Sequence, residues 1–213
     1  FGEFESLELR FTMEIHERRG TKDRGMAAYI EQSGDSYRAL LQIVSPAFLN
    51  RMKFLTVRED ERRNQWLATS SGVRRVAESN RNDRLFDSDF TVEDLSDYDA
   101  DDYELRLLAD ERVGGTPCYV LEAVPVSADS DYARKVLYVA KESRLLLRAD
   151  FFNDGGELVR QFEQLEQMRL DGRPFPRTAK MSTLTEGTHT VLTVEEAISG
   201  RDIPDRLFNR GSL

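Results

Sequence analysis

The chain has 213 residues, 39% of them apolar and 32% charged, enough to close a hydrophobic core inside a wide solvated surface. A net charge of −9 opposes binding to nucleic acid through phosphate neutralisation. The single cysteine, Cys118, excludes an internal disulfide, and no apolar run approaches the ~18 residues that a membrane-spanning helix needs. Nothing reads as a linker, so residues 1–213 are expected to form one domain. The sequence starts at Phe1 without a methionine, which fits a processed product with a signal peptide or lipid anchor upstream.

Taken in chain order, Leu7, Leu9, Phe11, Met13 and Ile15 alternate with polar residues, the period of a strand with one wet face. Arg19-Gly20-Thr21 predicts a turn into a strand carrying Met26, Ala28 and Ile30 on one face. Ser33-Gly34-Asp35 turns again into Tyr37, Ala39, Leu41 and Ile43. Further strands are predicted around Met52 to Val57 and Asn64 to Ala68, after a loop or single helical turn at Ser45-Pro46. Leu85 to Asp102 is too acidic for a strand, and Thr91 to Leu95 suits a helical turn. It carries the charge excess: nine acids lie between Asp87 and Glu104 with no Lys or Arg, and acids and bases balance elsewhere.

Strands then follow at Tyr103 to Ala109, Cys118 to Val124, Arg134 to Lys141, Leu145 to Phe152, Glu157 to Met168, Thr178 to Leu184 and Thr190 to Ile198. Gly114-Gly115 and Asp154-Gly155-Gly156 are hairpin turns, where glycine adopts positive φ at little cost. The expectation is a mainly β chain of roughly 11–12 antiparallel strands with almost no helix. So long a run of hairpins must curl, giving an incomplete, half-closed barrel. No fixed-period repeat points to a propeller or solenoid.

Chemistry is sparse. His16 and His189 lie on strands without a surrounding motif and read as solvated strand residues. Cys118, between Pro117 and Tyr119-Val120-Leu121, reads as a small buried hydrophobe. Asp97-Tyr98-Asp99-Ala100-Asp101-Asp102 resembles the start of a calcium loop, but an EF-hand needs Gly where Asp102 stands and Glu where Leu108 stands. The basic pairs Arg18-Arg19 and Arg74-Arg75 are too sparse for a nucleic-acid stripe. No catalytic residue, metal site or cofactor is assigned, and the chain is not expected to be an enzyme. The remaining signal is apolar: large or flexible residues recur on one face of many strands, and all five methionines fall in predicted strands. Ordinary core packing explains the same pattern.

Several stretches resemble, in one order along nearly the whole chain, the outer-membrane lipoprotein-sorting proteins, a LolA/LolB-like family of periplasmic carriers. Asp87-Ser88-Asp89-Phe90-Thr91-Val92-Glu93-Asp94-Leu95 is similar to its S-D-F-T-x-E-D-L signature. Ser45-Pro46-Ala47 with Phe54-Leu55, Gln65-Trp66-Leu67 and Val73-Arg74-Arg75-Val76 resemble its S-P-A…F-L, D-x-W-L and V-R-R-I steps. Pro117 to Glu122, Tyr132 to Val139 and Ile203 to Phe208 resemble P-C-Y-V-I-E, Y-x-R-x-x-L-W-V and L-P-D-x-L-F. Trp66-Leu67-Ala68-Thr69-Ser70-Ser71 departs from an apolar W-L-Y-L-P, and Asn50-Arg51-Met52-Lys53 from a glycine-bearing turn, both at the expected cavity mouth.

The resemblance implies an incomplete antiparallel barrel around a hydrophobic cavity, partly plugged by short helices and facing the periplasm. With the apolar strand phases, it assigns the cavity to Leu9, Phe11, Met13, Met26, Ala28, Ile30, Leu41, Ile43, Phe54, Trp66, Leu105, Leu121, Tyr138, Leu147 and Phe151. Phe86, Phe90, Val92 and Leu95 are expected to form a lid, rings inward and acids in water. The implied function is a periplasmic carrier for the acyl chains of a lipoprotein or lipid, moving to or from the outer membrane with an RND-type transporter as partner and only transient membrane contact. Each buried methylene is worth about 0.8 kcal/mol, so an acyl chain needs on the order of 10 kcal/mol of replacement burial. The alternative is an envelope lipid sensor or transporter adaptor that moves no cargo.

Overall fold

The computed structural model describes residues 4–59, 62–77, 80–95, 100–127, 130 and 132–213. Among them are fourteen strands and short 3-10 turns, with no α-helix. The strands are β1 (Ser6–Glu17), β2 (Gly20–Ser33), β3 (Ser36–Ser45), β4 (Lys53–Glu59), β5 (Arg62–Thr69), β6 (Gly72–Arg75) and β7 (Tyr103–Leu107). They continue with β8 (Glu111–Val113), β9 (Thr116–Pro125), β10 (Arg134–Ala140), β11 (Leu146–Phe152), β12 (Leu158–Leu170), β13 (Arg173–Thr183) and β14 (Thr188–Ser199). The count exceeds expectation because β6 and β8 are too short to show a period of their own.

They form one open sheet in the order β6-β5-β4-β3-β2-β1-β14-β13-β12-β11-β10-β9-β7, with β8 also on β9. The first and last strands are therefore neighbours, and the two ends of the ladder, β6 and β7, are consecutive in sequence. The acidic stretch is the connection that leaves one sheet edge and returns at the other. The sheet is antiparallel and does not close, as expected of the incomplete barrel that the hairpins imply.

The chain divides into two compact units, one of residues 1–14, 23–80 and 193–213, the other of 15–22 and 81–192. In the first, Met26 pairs with Ile43, Ala28 with Leu41 and Leu41 with Phe54, so these side chains share a face with Ile30. The other face carries Leu40, Leu55 and Trp66 in register. Ile203 and Phe208, the latter in the 3-10 turn Asp205–Phe208, close over Leu40 and Leu55, with Leu207 and Leu213 beside them. Arg38 donates to Asp205 at 2.8 Å and stacks 4.7 Å over the Phe208 ring. Trp66, expected beside Phe54, is thus on the opposite face, because Phe54 pairs with Leu67 and a single-residue step reverses a side chain's direction.

In the second unit the hairpin β8–β9 turns at Gly114 and Gly115, both at positive φ (55° and 83°), as its sequence requires. Cys118 is fully buried with Val120, Val136, Tyr138, Ala140 and Leu147. Leu121 and Phe151 belong to the other face, since Val120 pairs with Tyr138 whereas Leu121 pairs with Leu137. A bulge at Tyr138/Val139 offsets β11 and brings Leu147 to the Cys118 cluster. The residues assigned to one cavity wall therefore occupy both faces of the sheet.

A charge-latched segment over the second unit

On one face of the second unit, two parallel rows cross the strands. The first reads Leu105, Ala123, Lys135, Phe151, Arg160, Thr183 and the second Leu107, Leu121, Leu137, Ala149, Phe162, Met181. One row carries two cations and a hydroxyl, the other is apolar throughout. The segment Arg81 to Leu95 is built to match both.

It first folds on itself. The Glu93 and Val92 amides donate to the Arg81 and Asp83 carbonyls at 2.7 and 3.0 Å, and the Leu85 amide donates to the Phe90 carbonyl at 2.8 Å. Ser88 Oγ closes the turn by donating to the Leu85 carbonyl at 2.7 Å and accepting from the Phe90 amide at 3.1 Å. Thr91 and Asp94 hold each other: the Thr91 amide donates to Asp94 Oδ2, and the Asp94 amide donates to Thr91 Oγ1. Phe86 and Asp87 sit at φ of 56° and 60°, a left-handed conformation costing non-glycine residues about 1–3 kcal/mol each.

Three acids then dock on the sheet. Asp89, 1% exposed, accepts from Thr183 Oγ1 and Thr188 Oγ1 at 2.6 and 2.5 Å through Oδ1, and from Thr190 Oγ1 at 2.8 Å through Oδ2. Glu93, also 1% exposed, accepts from Lys135 Nζ at 2.7 Å and from Ser130 Oγ at 2.9 Å. Asp94 pairs with Arg160 Nη1 at 3.1 Å and accepts from the Tyr132 hydroxyl at 3.2 Å. Burial lowers the Lys135 pKa, with Glu93 opposing, and raises that of Tyr132. For Arg160 burial acts downward, but Asp94 and Tyr132 outweigh it and the pKa rises.

The expectation that these acids lie in water is corrected here: Asp89, Glu93 and Asp94 are enclosed because each meets a dedicated cation or set of hydroxyls. No spacing in the sequence announced Lys135, Arg160 or the threonines as partners, since they lie on strands far along the chain. Phe90 packs with Tyr132, Ala149, Phe151 and Met181, and Leu95 and Phe162 border that cluster. Phe86 and Val92 are buried as well.

Leu9, Phe11, Met13, Met26, Ala28, Ile30, Ile43, Phe54, Tyr138, Leu147 and Phe151 are buried, and Leu41, Trp66 and Leu121 half-buried. Leu105 is corrected to a half-exposed position, because β7 is the end of the sheet among the described residues. A cleft of about 200 Å³ opens beside the segment, lined by Arg81, Glu93, Asp101, Tyr103, Val126 and Ser130 among others; none of the expected cavity residues lines it. His16 and His189 stack at 4.4 Å, with Thr21 Oγ1 3.2 Å from His16 Nδ1. Asp97 and Asp99 of the calcium-like run lie outside the described residues, and no group of three metal-ligating side chains occurs among the described ones. No described helix is long and apolar enough to cross a membrane.

Three solved structures share this architecture. A domain assigned to outer membrane lipoprotein sorting from Vibrio parahaemolyticus superposes with a TM-score of 0.90 at 21% identity, covering 97% of this chain and 90% of that one. A DUF1329 family protein from Desulfovibrio piger gives 0.91 at 24% identity, covering 99% and 92%. A LolA superfamily protein from Nitrosomonas europaea gives 0.75 at 20%, covering 98% and 92%. No curated protein sequence matches. Residues 35–213 match the model of a family described as "Uncharacterized protein"; the chain belongs to that family and has the fold of the LolA-like lipoprotein-sorting proteins.

Proposed function

We propose that residues 1–213 act as a single carrier domain in the periplasm, shielding the acyl chains of a lipoprotein or lipid on their way to or from the outer membrane. The LolA-like fold supports a carrier role in general. The observation that carries the reading is the Phe90 cluster: a strained, charge-latched segment presses an aromatic ring onto an apolar row of the sheet. In this reading Phe86, Phe90, Val92 and Leu95 form the lid. The apolar residues that share its sheet face, half-buried Leu121 and buried Phe151 among them, contribute to the wall it covers. An RND-type transporter as donor or acceptor belongs to the same proposal, as does transient membrane contact.

Native mass spectrometry of the protein purified from a bacterial envelope is expected to show bound lipid. Phe90→Ala is expected to release a fluorescent acyl probe faster while the protein stays folded, because lid contacts belong to the less stable part of a structure. A lipid-free protein that binds no acyl probe would instead favour the sensor or adaptor reading.

A further inference from the structure

The guanidinium of Arg160 is only half used. Its Nη1 meets Asp94 and Tyr132, but Nε and Nη2 are buried and find no acceptor among the described residues. Those two nitrogens form the side-on fork of arginine, whose parallel N–H groups grip one or two oxygen atoms. Arg160 is 8% exposed and lies in the row beside Phe151 and Thr183, next to the apolar row of Phe162 and Met181. Two residues beyond Phe162 on the same face of β12, Gln164 Nε2 is likewise buried without an acceptor. A buried donor left unmet costs about 1–3 kcal/mol, more when charged.

The surrounding charge selects the acceptor. Asp94 already offsets Arg160 and Glu93 offsets Lys135, while Asp89 is a third buried carboxylate held mainly by hydroxyls, its nearest cation being the partly exposed Arg84 at 3.9 Å. A carboxylate or phosphate arriving at the fork would add another uncompensated buried anion. A neutral carbonyl oxygen meets the same N–H groups without adding charge.

We propose that the Nε–Nη2 edge of Arg160 receives the carbonyl oxygen of an ester-linked acyl chain, whose hydrocarbon then runs along the apolar row at Phe162. This rests on the carrier reading and sharpens it to a ligand class: neutral acyl esters are preferred over free acids and over ethers. Access requires the Leu85–Leu95 segment to lift, and the charge argument holds for the closed state, in which the segment has reseated over the ester and Asp94 again meets Nη1 of the same guanidinium.

The test uses the intact protein and three ligands, dioleoylglycerol, its di-oleyl ether analogue and oleate, each competing against a fluorescent alkyl probe that has no carbonyl. Hydrogen bonds from a charged donor predict an ester advantage of about tenfold or more. Arg160→Lys keeps a cation for Asp94 but has no fork, and should reduce the advantage to about twofold or less. Gln164→Leu gives a second variant that leaves the Asp94 pair in place, and it is expected to lower ester affinity more than ether affinity. Equal affinity of wild type for ester and ether would assign the fork to a buried water and overturn the proposal while leaving the carrier reading intact. Tighter binding of oleate than of the ester would overturn it in favour of an acid site. Failure to bind any of the lipids would sink the carrier reading and this proposal together.

Discussion

Two segments of this chain cover sheet faces by different physics. In the first unit the C-terminal stretch lays Ile203 and Phe208 on Leu40 and Leu55, an apolar cover with one partly exposed ion pair, Arg38–Asp205, at its border. In the second unit Arg81 to Leu95 also brings a buried phenylalanine, but it is seated by Glu93–Lys135, Asp94–Arg160 and the Asp89 threonine cluster. Apolar burial is non-directional and strong, about 1.5–3 kcal/mol per large side chain, so the first cover is a permanent part of the core. Buried ion pairs roughly break even against their desolvation, yet they fix register. The ion pairs therefore place the second cover with high geometric specificity at small net gain of their own, in addition to the burial of Phe86, Phe90 and Val92, and the segment carries backbone strain at Phe86 and Asp87. A segment so held is suited to being released and reseated.

The comparison breaks first at the ion pairs. Lys135→Met should destabilise the protein by about 3–5 kcal/mol in chemical denaturation, because Glu93 would be left as an unpaired buried charge. Adding Glu93→Leu should restore most of that loss. A double variant as unstable as the single one would mean that the pair contributes net stability and that the second cover is no more releasable than the first. Phe208→Ala should cost about 3 kcal/mol through lost burial. No second substitution nearby should rescue it, since the truncation leaves no buried charge without its partner and Arg38 keeps Asp205. Cys118→Ala is the control: the thiol lies under neither cover, and the variant should lose about 1 kcal/mol and keep acyl-probe binding unchanged.

Most strands were legible because they alternate: Leu7 to Ile15 are buried at every second position, as their sequence requires. β6 and β8 were not, being four and three residues long. The segment was legible as a signature but misread in its physics. Its acids look solvated when only local neighbours are counted, whereas their partners lie between 37 and 101 residues away in Ser130, Lys135 and Thr190. Faces were legible within a strand but not between strands. Trp66 and Phe54 are both apolar and adjacent in the fold, and only the pairing register shows that they point in opposite directions.

The smallest expected effect concerns His189, which stands on β14 between Thr188 and Thr190, the two residues whose hydroxyls hold Asp89. Its ring stacks on His16, and burial, His16 and Lys180 together lower its pKa while Asp89 pulls the other way. A base with a depressed folded pKa binds its proton first in the unfolded chain. Its contribution to stability is therefore complete above the ordinary histidine value near 6.5 and is lost as the pH falls from there towards the depressed value. The melting temperature should accordingly decline between about pH 7.5 and about pH 5.5, by no more than about 2 °C for a chain of this size. His189→Gln should flatten that decline. If the variant keeps the same slope, the proton uptake lies elsewhere. If instead the wild type loses Phe90-dependent probe retention over this pH range before it melts, the β14 end of the latch is itself sensitive to protonation, and the contrast with the apolar cover becomes sharper still.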